Sequence, residues 1–319
     1  MSGNKSFNNA KRVKEDEFYT QIEDIQQEMN HYRDHFKDQV IFCNCDDPDY
    51  SNFSWFFQFN FDLLGLKKLI TTHYNPGGQA YKLVIDGTKR NADGIPQATK
   101  TKLKGDGDFR SPEAINLLKK SDIVITNPPF SLLREYLAQL MKYDKKFLIL
   151  GNQNAVTYKE VFGYIRDNKM WLGHKSGDMA FKVPDDYEPR KTRFWIDEHG
   201  QKWRSLGNIC WLTNLPHKKR YEDIILIKRY YGNEDLYPKY DSYDAINIDK
   251  VKDIPEDYEG VMGVPITFLD KYNPDQFDII GLDRYVDDNP HYGKRFELNG
   301  KEKYARILIR NRRVVNHED

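Results

Sequence analysis

The 319-residue sequence predicts an α/β fold with a Rossmann-like, mainly parallel sheet in its first half. Short apolar runs alternate there with longer segments of helical periodicity, which is typical of strands joined by helical crossovers. Two of the runs, at 121–126 and 146–150, are followed directly by polar loops. Open parallel sheets bind ligands outside the carboxyl ends of their strands, so we expect both loops to line a binding crevice.

The first strand is predicted at residues 39–44, an apolar run that is followed by an Asp-Asp-Pro turn. Ser51 can cap the helix predicted over 53–66, because its hydroxyl can accept a hydrogen bond from a backbone N–H of the first turn. Two further apolar runs predict strands at 68–73 and 81–86.

The segment 87–105 is rich in Lys, Gly, Asn and Thr, and we expect it to be a loop. A helix is predicted from Ser111 to Lys120, with Pro112 in its first turn, where the missing N–H costs nothing. The spacing of Leu and Tyr predicts another helix over 131–143. These helices supply the crossovers that a parallel sheet requires.

Beyond residue 173 the pattern becomes less regular, and we place a boundary near Gly177. Residues 1–177 are expected to form the first domain. Residues 178–319 are expected to form a second region that also completes part of the sheet. Its predicted strands are short, at 208–215 and 224–227.

The composition favours a soluble cytoplasmic protein. An apolar content of 39% is adequate for a core. The first eighteen residues have no apolar signal segment, and no later stretch approaches the length of a membrane span. Cys43, Cys45 and Cys210 lack the Cys-x-x-Cys spacing of a zinc site, so we expect reduced cysteines and no metal.

The formal net charge is zero, but the charges are unevenly distributed. Residues 190–230 carry ten bases and four acids, and residues 291–313 carry eight bases and two acids. The intervening residues 234–288 carry fifteen acids and five bases. Two basic segments indicate a surface for a polyanion, while ordinary solvated surface charge is the alternative.

The tetrapeptide Asn127-Pro128-Pro129-Phe130 is the strongest candidate for chemistry. The lone pair of an aromatic amino group such as that of adenine is delocalised into the ring, so it must be drawn out before it can attack a methyl group. The Asn127 side-chain oxygen and the Pro128 carbonyl can accept hydrogen bonds from the two N–H bonds of such a group. The prolines keep the backbone extended, and Phe130 can stack on a flipped base. A simple strand-terminating turn is the alternative.

The sequence resembles the EcoRI-type adenine-specific DNA methyltransferase family over nearly the whole chain, and an ordered set of stretches carries this resemblance. They are 16–21, 43–48 with 51–53, 105–109, 127–130, 210–214 and 262–270. The resemblance implies an S-adenosyl-L-methionine-dependent methyltransferase sheet followed by a C-terminal target-recognition region. It also implies methyl transfer to N6 of a flipped adenine in double-stranded DNA, by a chain that we expect to be monomeric.

The resemblance also implies cofactor contacts. Those to the methionine part fall on Phe18, Tyr19 and Thr20, although this stretch could instead be the start of an amphipathic helix. Asp108 and Phe109 match the element that binds the cofactor's adenine. Asp106 is a competitor for the acid, and a Gly-Asp-Gly turn is the structural alternative.

The loop after the first predicted strand departs from the usual methyltransferase pattern, because it contains no glycine. The family resemblance supplies polar residues there, which could hold the ammonium and carboxylate of the methionine end: Asn44, Asp46, Asp47 and Ser51. No acid stands where the ribose ligand usually lies, at the second strand. Asp86 is one substitute, and the assignment stays open.

Expected DNA contacts are the densest basic residues of the second half: Arg190, Lys191, Arg193, Lys218, Lys219 and Arg220. Most such contacts are to phosphate, and some of these side chains could simply be solvated. Trp195, Trp203 and Trp211 could stack on bases or belong to the core. Two other functions fit the motif, namely methylation of another planar nitrogen (an RNA base or a protein glutamine) and silent nucleic-acid binding.

Overall fold

The structure, a computed structural model, describes residues 19–287 and 289–315. The expected cofactor contact at Phe18 lies outside the described residues. The chain divides into two compact units. Among the described residues, the first contains those up to Gln153 together with Gly173–Leu215, and the second contains Asn154–Leu172 and those from Pro216 onward.

A large mixed sheet dominates the first unit, and the described residues contribute ten strands to it. In chain order they are β1 (Tyr19–Thr20), β2 (Val40–Cys43), β3 (Lys68–Thr72), β4 (Tyr81–Ile85), β5 (Thr99–Lys102), β6 (Ile123–Thr126), β7 (Lys146–Asn152), β8 (Trp171–Lys182), β9 (Phe194–Ile196) and β10 (Lys202–Thr213). The spatial order is β1-β8-β10-β7-β6-β2-β3-β4-β5, and β9 pairs with β10. The strands β3, β2, β6 and β7 form a central parallel block. The strands β4, β5 and β10 are antiparallel to their neighbours.

The described residues form five α-helices, three of which fall in the segments predicted to be helical. They are α1 (Ile22–Met29), α2 (Asn52–Phe59), α3 (Pro112–Lys120), α4 (Leu133–Lys142) and α5 (Lys159–Arg166). The predicted Ser51 cap is confirmed, because Ser51 Oγ accepts from the Phe53 N–H at 3.1 Å. Ser111 Oγ likewise accepts from the Ala114 N–H at 3.1 Å, at the start of the helix predicted from Ser111. The helix predicted over 53–66 ends earlier, since the chain leaves helical geometry at Asn60 and continues through tight turns to Gly65, which has φ +61°.

Four predictions about loops, strands and the type of sheet need correction. The loop expected at 87–105 contains β5, a polar and exposed edge strand that carries no apolar signal and is held by backbone pairing to β4. The expected parallel sheet is mixed, since β4 runs antiparallel to β3. The strand expected at 208–215 is the longer β10. Residues 224–227 form no strand, and Ile225 and Ile227 are 85% and 74% exposed.

One core cluster of the first unit lies between the central strands and helices α1 and α2. It includes Ile41, Phe53, Phe57 and Leu148, together with Trp211. The Trp211 ring meets Phe53 edge-on at 5.8 Å between centroids, so this tryptophan is a core residue. Trp195 and Trp203 instead stack on each other at 6.0 Å in the β9–β10 hairpin. Cys43 and Cys210 are buried, and no disulfide bond joins any of the three cysteines.

The second unit contains a smaller sheet in the order β11 (Ile246–Asn247), β12 (Met262–Pro265), β16 (Arg306–Asn311) and β13 (Phe277–Leu282). A separate hairpin pairs β14 (Glu297–Leu298) with β15 (Lys301–Glu302). The core cluster here includes Tyr240, Ala245, Phe296 and Leu308. Across both units, no helix within the described ranges is long and apolar enough to cross a membrane.

Candidate active site

The Asn-Pro-Pro-Phe motif begins directly after β6, at the carboxyl end of the central parallel block. All four residues of β6 are buried, which fixes the start of the loop. Pro129 has extended backbone angles, and Phe130 opens a short 3-10 turn in which the Leu132 N–H donates to the Pro129 carbonyl at 3.0 Å. Phe130 is half-buried and packs against the core. The motif therefore lies at the edge of the sheet where the sequence predicts a ligand crevice.

The Asn127 amide is oriented by the N-terminal strand. Its Nδ2 donates to Thr20 Oγ1 at 3.3 Å. The Thr20 carbonyl in turn accepts a hydrogen bond from Asn52 Nδ2 at 2.7 Å. With the amide nitrogen directed at Thr20, the amide oxygen occupies the other branch of the side chain and can serve as an acceptor. Thr20 was expected at the cofactor, and the structure brings it to the Asn-Pro-Pro-Phe motif.

Asp46 connects the loop after β2 with the end of β6. Its Oδ1 accepts a hydrogen bond from Ser51 Oγ at 2.7 Å, and its Oδ2 accepts one from Thr126 Oγ1. The backbone N–H of Asn127 also donates to this carboxyl group. Burial raises the pKa of Asp46 to about 7, although the hydrogen bonds act in the opposite direction.

Asn44 lies beside a buried aromatic pair. Its Oδ1 accepts a hydrogen bond from the Tyr136 hydroxyl on α4. The Tyr136 ring meets Phe109 edge-on at 5.1 Å between centroids. Asn44 is 2% exposed, and its Nδ2 has no hydrogen-bond partner among the described residues. A buried donor left without an acceptor costs free energy, so this amide group is suited to a bound ligand.

Asp108 is held in place by Arg110. The guanidinium donates from Nε to Oδ1 at 2.9 Å and from Nη2 to Oδ2 at 2.6 Å. Burial alone would raise the pKa of Asp108, but the hydrogen bonds from Arg110 outweigh it and the pKa lies below its usual value. The same guanidinium lies 5.3 Å from the Phe109 ring centroid. Asp108 is therefore ionised and held next to Phe109, the aromatic residue that was assigned with it to the same element.

Gly107 allows this loop to lie against the end of β3. Its φ is +81°, and a side-chain Cβ there would overlap the backbone carbonyl oxygen of His73. The neighbouring Asp106 carbonyl accepts a hydrogen bond from the Asn75 N–H at 2.8 Å. The glycine is thus required by both backbone angle and close approach.

Two further expected cofactor residues have structural contacts of their own. Asp47 Oδ1 accepts from the Asp49 N–H at 2.8 Å, and Asp47 Oδ2 lies 3.4 Å from His73 Nε2. Tyr19 lies in β1, where it pairs with Lys182 of β8.

The six expected DNA-binding residues fall into two groups. Arg190, Lys191 and Arg193 are exposed in the loop between β8 and β9 in the first unit. Lys218, Lys219 and Arg220 belong to a 3-10 helix, Lys218–Tyr221, in the second unit.

Both groups contain cations that are engaged within the protein. Arg193 pairs with Asp178 at 3.2 Å, and the Arg190 guanidinium lies 5.8 Å from the Tyr187 ring centroid. Lys219 pairs with Asp270 at 2.9 Å. Arg220 is only 4% exposed, and its guanidinium stacks over Trp171 at 3.9 Å from the ring centroid. Arg220 is therefore packed inside the second unit, which does not favour a role in DNA contact.

The site offers neither a metal cluster nor an activated thiol in the part of the chain that the structure describes. No group of three or more His, Cys, Asp or Glu side chains there could hold a metal ion. Burial and the nearby Asp46 raise the pKa of the Cys43 and Cys45 thiols. A thiol in that state is a poor nucleophile.

Sequence reasoning missed several residues of the site. Thr126 was assigned only to a strand, Tyr136 only to a helix, and Arg110 was not singled out. Asn52 was noted only within a matching stretch. The short distance of Arg110 from Asp108 in the sequence was an available signal. Thr126 and Tyr136 are brought to Asp46 and Asn44 by folding alone.

Comparisons with known proteins agree with one another. The profile of the family described as "Adenine-specific methyltransferase EcoRI" matches residues 6–312. The Type II methyltransferase M.EcoRI of Escherichia coli is 51% identical, over 98% of this chain and 98% of its own length. Two further relatives are 41% identical over 97% of this chain and 99% of their own lengths: the Type II methyltransferases M.MgeORF184P of Mycoplasma genitalium and M.MpnI of Mycoplasma pneumoniae. No solved structure gives a significant match.

Proposed function

Because the chain belongs to the family of EcoRI-type adenine-specific methyltransferases, we propose that it methylates N6 of adenine at specific sites in duplex DNA. The methyl donor is S-adenosyl-L-methionine. The observation that carries this proposal is the position of Asn127 at the carboxyl end of β6, with its amide nitrogen held by Thr20.

The residues around Asn44 fit the proposed cofactor. The buried Nδ2 of Asn44, which has no partner in the part of the chain that the structure describes, can donate to an oxygen of the ligand. Tyr19, Thr20 and Asp47 are proposed for the methionine end. The ionised Asp108 and the Phe109 ring are proposed for the adenine end, where a carboxylate can accept from an amino group. When bound, the cofactor supplies an electrophilic methyl group.

The chain's own contribution is to prepare the amino group. Asn127 Oδ1 and the Pro128 carbonyl accept the two N–H bonds of N6, which draws the lone pair out of the ring and toward the methyl group. These acceptors are useful mainly as positive charge develops on N6, so they stabilise the transition state more than the bound substrate. N6 becomes acidic as it gains the methyl group and releases its proton without a strong base.

The target adenine must leave the double helix to reach this loop, because its N6 is paired inside the duplex. Phe130 is half-buried at the start of the 3-10 turn, and we propose that its accessible face stacks on the flipped base. Stacking of this kind is worth about 1–3 kcal/mol per base.

We further propose that the large sheet is a Rossmann-like methyltransferase sheet and that residues 178–319 serve target recognition. Arg190, Lys191, Arg193, Lys218 and Lys219 would contact DNA mainly through phosphates. The burial of Arg220 argues for a packing role instead.

A methyl-transfer assay with tritiated S-adenosyl-L-methionine tests the proposal. Duplex DNA, structured RNA and a protein mixture are offered separately, and the labelled product is identified after digestion. We expect label on N6 of adenine from duplex DNA and none after Asn127→Ala. Label confined to RNA or to protein glutamine would refute the proposed substrate. Tight DNA binding without any transfer would identify a silent binding protein.

A further inference from the structure

The protein itself donates hydrogen bonds to both oxygens of the buried Asp46 carboxyl group. One oxygen accepts from Ser51 Oγ at 2.7 Å, and the other accepts from Thr126 Oγ1. The Asn127 N–H also donates to the group. An ionised carboxylate offers about four lone-pair positions, so three are satisfied within the protein.

The position of Asp46 reinforces this point. It is 4% exposed, and both of its oxygens already accept hydrogen bonds within the protein. Thr126 Oγ1, the group that donates to Asp46, itself accepts a hydrogen bond from the Cys45 N–H at 3.1 Å. The Thr126 hydroxyl group therefore makes two hydrogen bonds to the loop after β2, one as a donor to Asp46 and one as an acceptor from the Cys45 N–H.

The hydrogen bonds of Asp46 extend to Asn127, the first residue of the proposed catalytic motif. Thr126 is the last residue of β6, and Asn127 follows it with its backbone N–H bound to Asp46. The prolines at 128 and 129 have no N–H groups, so neither can donate a backbone hydrogen bond of its own. The Asn127 N–H is thus the backbone donor by which the start of the motif is held.

We propose that Asp46 is a positioning residue that sets the location of Asn127 through Thr126 and the Asn127 backbone, and that it does not bind the cofactor. This inference rests on the proposed adenine methylation, since it explains how the acceptor for N6 is held. Asp46 acts through other groups and touches no reacting atom.

A carboxylate is required here for a simple chemical reason. All three groups that face Asp46 donate hydrogen bonds to it, so the position needs acceptors only. An asparagine would present an NH2 group toward at least one of these donors and break that contact. A misplacement on the order of 1 Å in a catalytic group can reduce a rate by about 100-fold.

The test compares Asp46→Asn with Asp49→Asn. Asp49 belongs to the same loop, is exposed and pairs with Lys100, so it serves as the matched control. Two measurements are made on each full-length variant. Calorimetry gives the equilibrium affinity for S-adenosyl-L-methionine, and single-turnover methyl transfer at saturating cofactor and DNA gives the chemical rate.

We expect Asp46→Asn to reduce the single-turnover rate by about 100-fold while cofactor affinity stays within about threefold. Asp49→Asn should change neither quantity. Thr126→Val should show the same loss of rate. Thr126→Ser should keep most of the wild-type rate, because serine retains the hydroxyl group. A cofactor ligand would behave in the opposite way, so a large loss of affinity with a near-normal rate at saturation would overturn the proposal.

Hydrogen exchange gives a readout that does not depend on activity. In a peptide covering 123–130, the Asn127 amide should exchange faster in Asp46→Asn and Thr126→Val than in the wild-type protein. Unchanged exchange in both variants would contradict the proposed contact. A wild-type protein that leaves adenine unmethylated would refute the proposed function, whereas failure of the inference would be visible only in the variants. If Asp46→Asn does not fold, the pair Thr126→Val and Thr126→Ser carries the test.

Discussion

The side chain of Asn127 has two ends with different tasks. Its nitrogen donates to Thr20 Oγ1 at 3.3 Å, which directs the oxygen toward the substrate side in the proposed reaction. Because the acceptor matters mainly in the transition state, Asn127→Ala should abolish methyl transfer and leave cofactor and DNA affinities within several-fold of the wild type. Single-turnover rates and equilibrium binding check this separately. A variant with near-normal turnover would contradict the mechanism.

The ionisation of Asp46 gives a second prediction at the residue scale. Burial raises its pKa from 3.8 to about 7, and the nearby Asp47 adds to the shift. The other titratable groups around it, Cys43, Cys45 and Tyr136, have raised pKa values and stay neutral near pH 7. Protonation would replace an acceptor of Asp46 with a donor. The single-turnover rate should therefore fall as the pH decreases below about 7, and this dependence should be absent in Asp46→Asn.

Linkage gives stability the opposite dependence on pH. Between the unfolded value of 3.8 and the folded value of about 7, the folded protein binds the extra proton. The contribution of Asp46 to the free energy of unfolding should therefore decrease as the pH rises through this window.

A wild-type rate that is flat from pH 6 to pH 8, with cofactor and DNA saturating, would rule out ionised Asp46 as the active form.

At the scale of elements, the turn through Gly107 permits a direct comparison of glycines. Gly107→Ala should lower the free energy of unfolding by roughly 2–4 kcal/mol, because it combines a positive φ with overlap of the His73 carbonyl. Gly94 has φ +77° in open space, so Gly94→Ala should cost only about 1 kcal/mol. Gly105 has neither constraint and should tolerate alanine. Urea unfolding measures all three, and equal effects at Gly107 and Gly94 would exclude the close approach as a cause.

The elements also show what the sequence could predict. Helix α3 and the central strands were predicted correctly, since caps and apolar runs are local signals. The edge strand β5 was not, because its polar residues are held by backbone pairing to β4. The site divides in the same way. The Asn127 motif is contiguous and recognisable, whereas the contact of Thr126 with Asp46 joins residues 80 positions apart.

For the molecule as a whole, the neutral net charge conceals basic groups in both units. Lys191→Ala and Lys218→Ala should each weaken DNA binding about equally for all sequences. Each should also reduce the slope of log K against log salt by about 1, as expected for the loss of one phosphate contact. Arg220→Ala should lower the free energy of unfolding and leave the salt slope unchanged, because its guanidinium stacks on Trp171. Fluorescence anisotropy over a range of salt concentrations separates these outcomes.

The most direct test of site-specific adenine methylation is to map modified bases in genomic DNA from cells that express the chain. We predict N6-methyladenine at one short recurring sequence in cells with the wild-type protein, and none above background in cells with Asn127→Ala. A modification on cytosine, the absence of a recurring sequence, or equal methylation by the Asn127→Ala variant would contradict the account.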